Sequence, residues 1–177
     1  GLGELGQDAA RKLALLEFQV AGWSRTPKRI EGLACFSGPE GLPAFLARTD
    51  ILVSLLPLTA DTTGILDAKL IAGLARDGHP SLRGPHLINA GRGASQIEAD
   101  ILAALEDGSL GSAVLDVFEI EPLAQDSSLW THPRVTITPH NAAMSAPDTV
   151  AALVARQIRA HEAGGALENL VERTRGY

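Results

Sequence analysis

Short apolar runs alternate along this chain with stretches whose apolar residues recur every three or four positions. The runs are Gln19-Val20-Ala21-Gly22-Trp23, Asp50 to Leu56, His86 to Ala90, Ser112 to Val117 and Val135 to Thr138. They are continuously apolar rather than alternating, which predicts strands covered on both faces. Between them the helical spacing covers residues 4–17, 39–48 with Leu42, Phe45 and Leu46, and 67–75 with Leu70, Ile71 and Leu74. It returns at 97–107, where Ile97, Ile101, Leu102 and Leu105 share one face. Strand, helix and strand repeated in this way predict right-handed crossovers and an α/β fold. The expected architecture is a Rossmann-type doubly wound parallel sheet.

A last helix is expected over 146–163. Ser145 with Asp148 three residues on resembles a capping box, Pro147 suits a first turn, and Val150, Leu153, Val154 and Ile158 form a narrow apolar stripe. Composition does not place residues 164–177. The expected division is a dinucleotide-binding domain over 1–144 and a C-terminal helix and tail over 145–177.

The chain opens on Gly1-Leu2-Gly3-Glu4-Leu5-Gly6, the G-x-G-x-x-G spacing. Its first glycine allows a tight turn, its second lets a pyrophosphate approach the backbone, and its third lets helix pack on strand. Free N–H groups at the helix start, from Glu4 and Leu5 onward, then bind phosphate. Such a turn follows a strand, which would be the central one of the sheet. The expectation is therefore a natural chain that starts well upstream, and two half-sheets with unpaired edges in the sequence at hand. The competing reading, a flexible glycine-rich tail, is outweighed by the motifs downstream.

NAD sites place an acidic residue at the end of the second strand, to accept the ribose 2′-hydroxyl. Here that position reads Trp23-Ser24-Arg25-Thr26-Pro27-Lys28-Arg29, with no carboxylate. A 2′-phosphate wants hydroxyl and guanidinium donors, so NADP(H) is expected over NAD(H), with Arg25 as the discriminator. Lys28 and Arg29 read as solvated loop charges.

Three segments fall at the C-terminal ends of successive predicted strands, where ligands bind in open α/β sheets. They are Ile88-Asn89-Ala90-Gly91-Arg92-Gly93, Leu115 to Pro122 with Asp116, Glu119 and Glu121, and Val135 to Ala143 with His140. Reduction of a 2-keto acid needs a hydride from a cofactor, a cation for the carboxylate and a proton for the oxygen. Arg92 can hold the carboxylate and polarise the carbonyl. His140 can give the proton, and a neighbouring glutamate would orient and charge its ring. Spacing does not decide between Glu119 and Glu121 for that role.

These residues resemble the D-2-hydroxyacid dehydrogenases, and within them the bacterial glyoxylate/hydroxypyruvate reductases. The likeness runs through Trp23-Ser24-Arg25-Thr26, Leu55-Leu56-Pro57-Leu58-Thr59, the arginine segment and Asp116-Val117-Phe118 with Glu121-Pro122. It continues through Leu129-Trp130-Thr131-His132-Pro133-Arg134-Val135 and Thr138-Pro139-His140 to Arg175-Gly176-Tyr177. The resemblance implies Arg92, Glu121 and His140 as the catalytic set. It implies cofactor contacts from the glycine turn (Gly1, Gly3, Glu4, Leu5, Gly6), the Trp23 to Thr26 loop, Leu56-Pro57, Ala90-Gly91 and Asp116, the last near the nicotinamide amide. It also implies a homodimer whose substrate domain comes mostly from N-terminal sequence, so this chain alone is expected to be inactive. Residues 76–85 form a longer stretch than the family pattern has and are expected as a surface loop. Two rivals are a formate dehydrogenase, which Glu121 disfavours because a glutamine would suit that hydride donor, and a non-catalytic dinucleotide sensor.

Composition narrows the picture further. A net charge of −6 with singly scattered Lys and Arg recruits neither nucleic acid nor an anionic membrane surface. Cys35 is the single cysteine, which rules out an internal disulfide or a thiolate metal cage and fits a reducing, cytoplasmic setting. No metal is expected. His79, His86, His132 and His161 read as loop or helix-surface residues, and Trp130 as a core anchor, although the resemblance also allows it near the substrate entrance.

Overall fold

The computed structural model of the chain describes residues 1–78 and 82–172. His79, Pro80 and Ser81 of the expected loop, and the closing Arg175-Gly176-Tyr177, lie outside the described residues. In chain order the elements are α1 (Glu4–Leu15), β1 (Ala21–Ser24), β2 (Ala34–Ser37), α2 (Gly38–Leu46), β3 (Ile51–Ser54) and α3 (Ala68–Ala72). They continue as β4 (His86–Asn89), α4 (Glu98–Glu106), β5 (Ser112–Leu115), β6 (Val135–Ile137) and α5 (Pro147–Glu162). Every expected strand and helix is present. The addition is β2, which the apolar pattern did not announce.

Two compact units divide the chain, Gly1–His140 and Asn141–Tyr177. In the first, all strand pairs are parallel and form two sheets, β1-β2 and β3-β4-β5-β6. These are the two half-sheets expected from the glycine turn. Leu2 lies against β1: a Cβ added to Gly22 would overlap its side chain, which would have to shift to make room. Gly1 adjoins the other sheet, its added Cβ meeting Leu55 O at the end of β3 at 3.2 Å.

The strands are covered unequally. In β1, β4 and β5 fully buried positions alternate with half-buried ones, so the faces are not equally covered as the continuous runs suggested. The core gathers Leu87, Ala113 and Leu115 of the sheet with Leu70 and Ile71 of α3 and Ile101 and Leu105 of α4. Burying each such leucine or isoleucine stabilises by about 1.5–3 kcal/mol, and Leu115→Ala would cost about 2–5 kcal/mol. Asp67 caps α3 by accepting from Leu70 N at 2.8 Å, and Asp100 in the first turn of α4 accepts from Ala68 N at 2.8 Å. Two side-chain carboxylates thus serve the start of one short helix.

In the second unit, α5 begins with Pro147 at its first position, as its missing N–H favours. The expected capping box does not form, because Ala146 is the cap residue and no side chain bonds there. The tail folds back on the helix, Arg156 gripping Glu168 through two bonds of 3.2 and 2.9 Å while Glu168 N donates to Gln157 Oε1 at 3.0 Å.

Candidate active site

Parallel register decides what shares a rim. Ser54, Asn89 and Leu115 are cross-strand neighbours, and Leu115 pairs with Ile137. The residues that follow, Leu55-Leu56, Ala90-Gly91-Arg92, Asp116 and Thr138-Pro139-His140, therefore leave the sheet side by side at its C-terminal edge. Ala90 N donates to Ser54 O, Asp116 N to Asn89 O and Thr138 N to Leu115 O, all at 3.0–3.1 Å, which extends the ladder one residue into each loop.

The loops then touch. Gly91 sits against Leu56, where an added Cβ would lie 2.8 Å from the carbonyl oxygen. Gly93 lies hard on the Phe118 backbone, and any side chain there would overlap its carbonyl. Glycine at both positions is a packing requirement. Beyond Phe118 the chain turns so that Glu121 Oε1 accepts from Phe118 N at 3.1 Å.

Glu121 Oε2 then meets His140 Nδ1 at 2.8 Å, and both side chains remain open to solvent. His140 has a φ of +52°, a left-handed conformation uncommon for a residue with a side chain, and so turns the chain sharply at the end of β6. An ionised carboxylate only accepts, so Nδ1 carries the hydrogen and Nε2 is left as the exchangeable position. The hydrogen bond from His140 holds the Glu121 carboxyl below the usual glutamate range, with a smaller contribution from Phe118 N–H and burial opposing both.

The ambiguity between the two glutamates resolves here. Glu119 accepts from Glu98 N at 2.7 Å, while Glu98 accepts from Glu119 N at 2.8 Å. Glu119 is thus occupied at the start of α4, and Glu121 faces the imidazole. Arg92 is exposed on the adjoining turn, its Nη1 donating to Gly91 O at 2.7 Å. Two of the three expected groups are in direct contact, and the third stands on a loop packed against theirs. Asp116 is buried and accepts from the Thr138 hydroxyl, a bond between the residues just after β5 and β6 that the sequence did not disclose.

At the glycine turn, Gly6 approaches Gly1 so closely that an added Cβ would overlap its carbonyl oxygen, whereas a Cβ on Gly3 would meet nothing within 4 Å. The first bond of α1 is Gln7 N to Gly3 O, so the Glu4, Leu5 and Gly6 amides precede the helical ladder. Space beside Gly3 and amides at a helix start fit a phosphate group. Lys28 is not merely a solvated charge: its Nζ donates to Leu2 O at 2.7 Å and braces this turn. Trp23 Nε1 bonds Gly38 O at 2.8 Å and the buried Ser24 hydroxyl bonds Thr26 O at 2.8 Å, shaping the loop that carries exposed Arg25.

Other expectations need correction. Trp130 is 51% exposed, its ring N–H bonded to Ala124 O, and Leu129 beside it is the core anchor. His86 is half-buried within β4, its Nδ1 2.7 Å from Ser112 Oγ, not on a loop or helix surface. Among the described residues no group of His, Cys, Asp and Glu could hold a metal ion.

The sequence profile of the D-isomer specific 2-hydroxyacid dehydrogenase NAD binding domain matches residues 1–142. Glyoxylate/hydroxypyruvate reductase A of Yersinia enterocolitica is 45% identical over all 177 residues, which cover 54% of that protein. The chain therefore spans about half the length of the curated relatives it matches. The crystal structure of an NADPH-dependent glyoxylate/hydroxypyruvate reductase from Sinorhizobium meliloti, in complex with NADP and sulfate, superposes with a TM-score of 0.93. It is 52% identical, covering the whole chain and 55% of that structure. A D-isomer specific 2-hydroxyacid dehydrogenase from Xanthobacter autotrophicus, in complex with NADPH and MES, superposes at 0.90 with 46% identity, over the whole chain and 70% of that structure. An open glycine turn, a parallel sheet rim and a His–Glu pair, together with these likenesses, mean that the chain belongs to the D-isomer specific 2-hydroxyacid dehydrogenase family.

Proposed function

We propose that this chain is the cofactor-binding part of an NADPH-preferring reductase of small 2-keto acids, of the glyoxylate and hydroxypyruvate class. The observation that carries the reading is the 2.8 Å contact between His140 Nδ1 and Glu121 Oε2 on the rim shared with the Arg92 turn. When bound, the cofactor supplies the hydride that goes to the keto carbon.

The chain's own residues do the rest. The open face of Gly3 and the amides of Glu4, Leu5 and Gly6 receive the pyrophosphate, with Gly1 completing the turn. Leu56-Pro57 and Ala90-Gly91 line the cofactor's path along the rim, and Asp116 meets the nicotinamide amide. Arg25, with Trp23, Ser24 and Thr26 shaping its loop, pairs with the 2′-phosphate. A guanidinium there and no carboxylate support NADP(H) over NAD(H), as do the NADP- and NADPH-bound structures of relatives.

Arg92 holds the substrate carboxylate and polarises the keto group. His140 gives the proton on Nε2 to the keto oxygen, while Glu121 keeps the ring oriented through Nδ1. Family likeness supports a homodimer, and a single cysteine supports a cytoplasmic setting.

The test is turnover of glyoxylate by the complete protein, followed as loss of NADPH and repeated with NADH. NADPH binding without turnover of any 2-keto acid would leave a sensor instead, and a higher kcat/KM with NADH would reverse the cofactor assignment.

A further inference from the structure

The Arg92 turn and the Glu121 loop are joined underneath by a buried chain of amides. Asn89, fully buried at the end of β4, accepts from Gly91 N at 3.1 Å through Oδ1. Its Nδ2 reaches Arg92 O at 3.3 Å and Gln96 Oε1 at 2.8 Å. Gln96, equally buried, donates through Nε2 to Val117 O at 3.0 Å and reaches Glu98 Oε1 at 3.4 Å. Glu98 in turn accepts from Glu119 N. A buried primary amide is well placed where one atom must accept from one loop while the other donates to a second.

We propose that Gln96 is a positioning residue that locks the Arg92 turn and the loop carrying Glu121 into one unit. This rests on the functional reading above. The two loops leave different strands, and among the described residues only Gln96 has a side chain bonded both to Asn89, which holds the Arg92 turn, and to the backbone at Val117. The Gly93–Phe118 contact keeps the loops in touch but sets no hydrogen-bonded register between them. Gln96 supplies that register beneath the rim, inside the reciprocal Glu98–Glu119 bonds at the start of α4, and so controls where Arg92 stands relative to the His140–Glu121 pair.

Hydrogen exchange on the Gln96→Met chain without cofactor or substrate is the direct test. Losing these buried bonds is expected to raise exchange at Gly91, Phe118 and Glu119 together, by about tenfold, with the β4–β5 ladder unchanged. Faster exchange in one loop alone, or in neither, overturns the proposal.

Kinetics of the complete protein give a second readout. In Gln96→Met, kcat is expected to fall by about 10²-fold and KM for the keto acid to rise, with NADPH binding unchanged. A variant that loses only thermal stability and keeps both constants refutes the positioning role. If Gln96→Met does not fold, Gln96→Asn decides. One methylene shorter, its amide cannot reach both Asn89 and Val117 O, so kcat is expected to drop, and retention of kcat refutes the role. Failure of the wild-type protein to reduce any 2-keto acid would remove the proposed function, while the exchange result would still decide the coupling.

Discussion

His140 Nδ1 lies 2.8 Å from Glu121 Oε2, although the two residues leave the sheet on different loops. One side chain turns in through a left-handed backbone at the end of β6, and the other returns on a loop pinned to Phe118 N. The imidazole and the carboxylate that meets it are thus set by two independent pieces of backbone. His140→Ala in the complete protein should lower kcat by about 10²–10⁴. Steady-state assay with glyoxylate checks this, and near-normal turnover would take the imidazole out of the reaction.

The same pair sets a pH dependence. The folded-state pKa of Glu121 lies below its unfolded value, mainly through the hydrogen bond from His140. Its contribution to stability is therefore present above the ordinary glutamate range and is lost as pH falls through the depressed folded value. Melting temperatures of wild type and Glu121→Gln should differ at neutral pH and converge on acidification. A gap that widens on the acid side would contradict the assignment.

Arg92→Lys keeps the charge but loses the planar fork that grips a carboxylate. A fall in kcat/KM of about 10² is expected, with NADPH binding unchanged, as the proposed contact with the substrate carboxylate requires. Fluorescence titration alongside the kinetics separates the two effects.

Arg25→Ala should weaken NADPH by about 10–100-fold, the worth of a charge-assisted hydrogen bond, and leave NADH nearly unaffected. Equal losses for both cofactors would show that the guanidinium does not read the 2′-phosphate.

Much of this was legible from residues alone, for identifiable reasons. The five apolar runs and the helical stripes of α3 and α4 are strong because the core demands them: Leu87, Ile101, Leu105 and Leu115 are all fully buried. β2 escaped notice because it is little buried and runs straight into Gly38-Pro39. Residues 25–33, which lead to it, hold no helix, so the strand–helix–strand cue was missing. Arg92 and His140 could be singled out because their chemistry is specific and each follows a strand. Spacing alone could not separate Glu121 from Glu119, and only the family resemblance did, since the difference lies in a tertiary contact with the start of α4. Gln96 gave no cue either, because a glutamine beside an apolar run reads as surface until its burial is seen.

The close approach of Gly93 to Phe118 has a consequence of its own. A methyl group at position 93 would overlap the Phe118 carbonyl, so Gly93→Ala would have to wedge apart the two loops on which Arg92 and Glu121 stand. Such a lesion would spoil the rim while leaving every polar side chain on it intact.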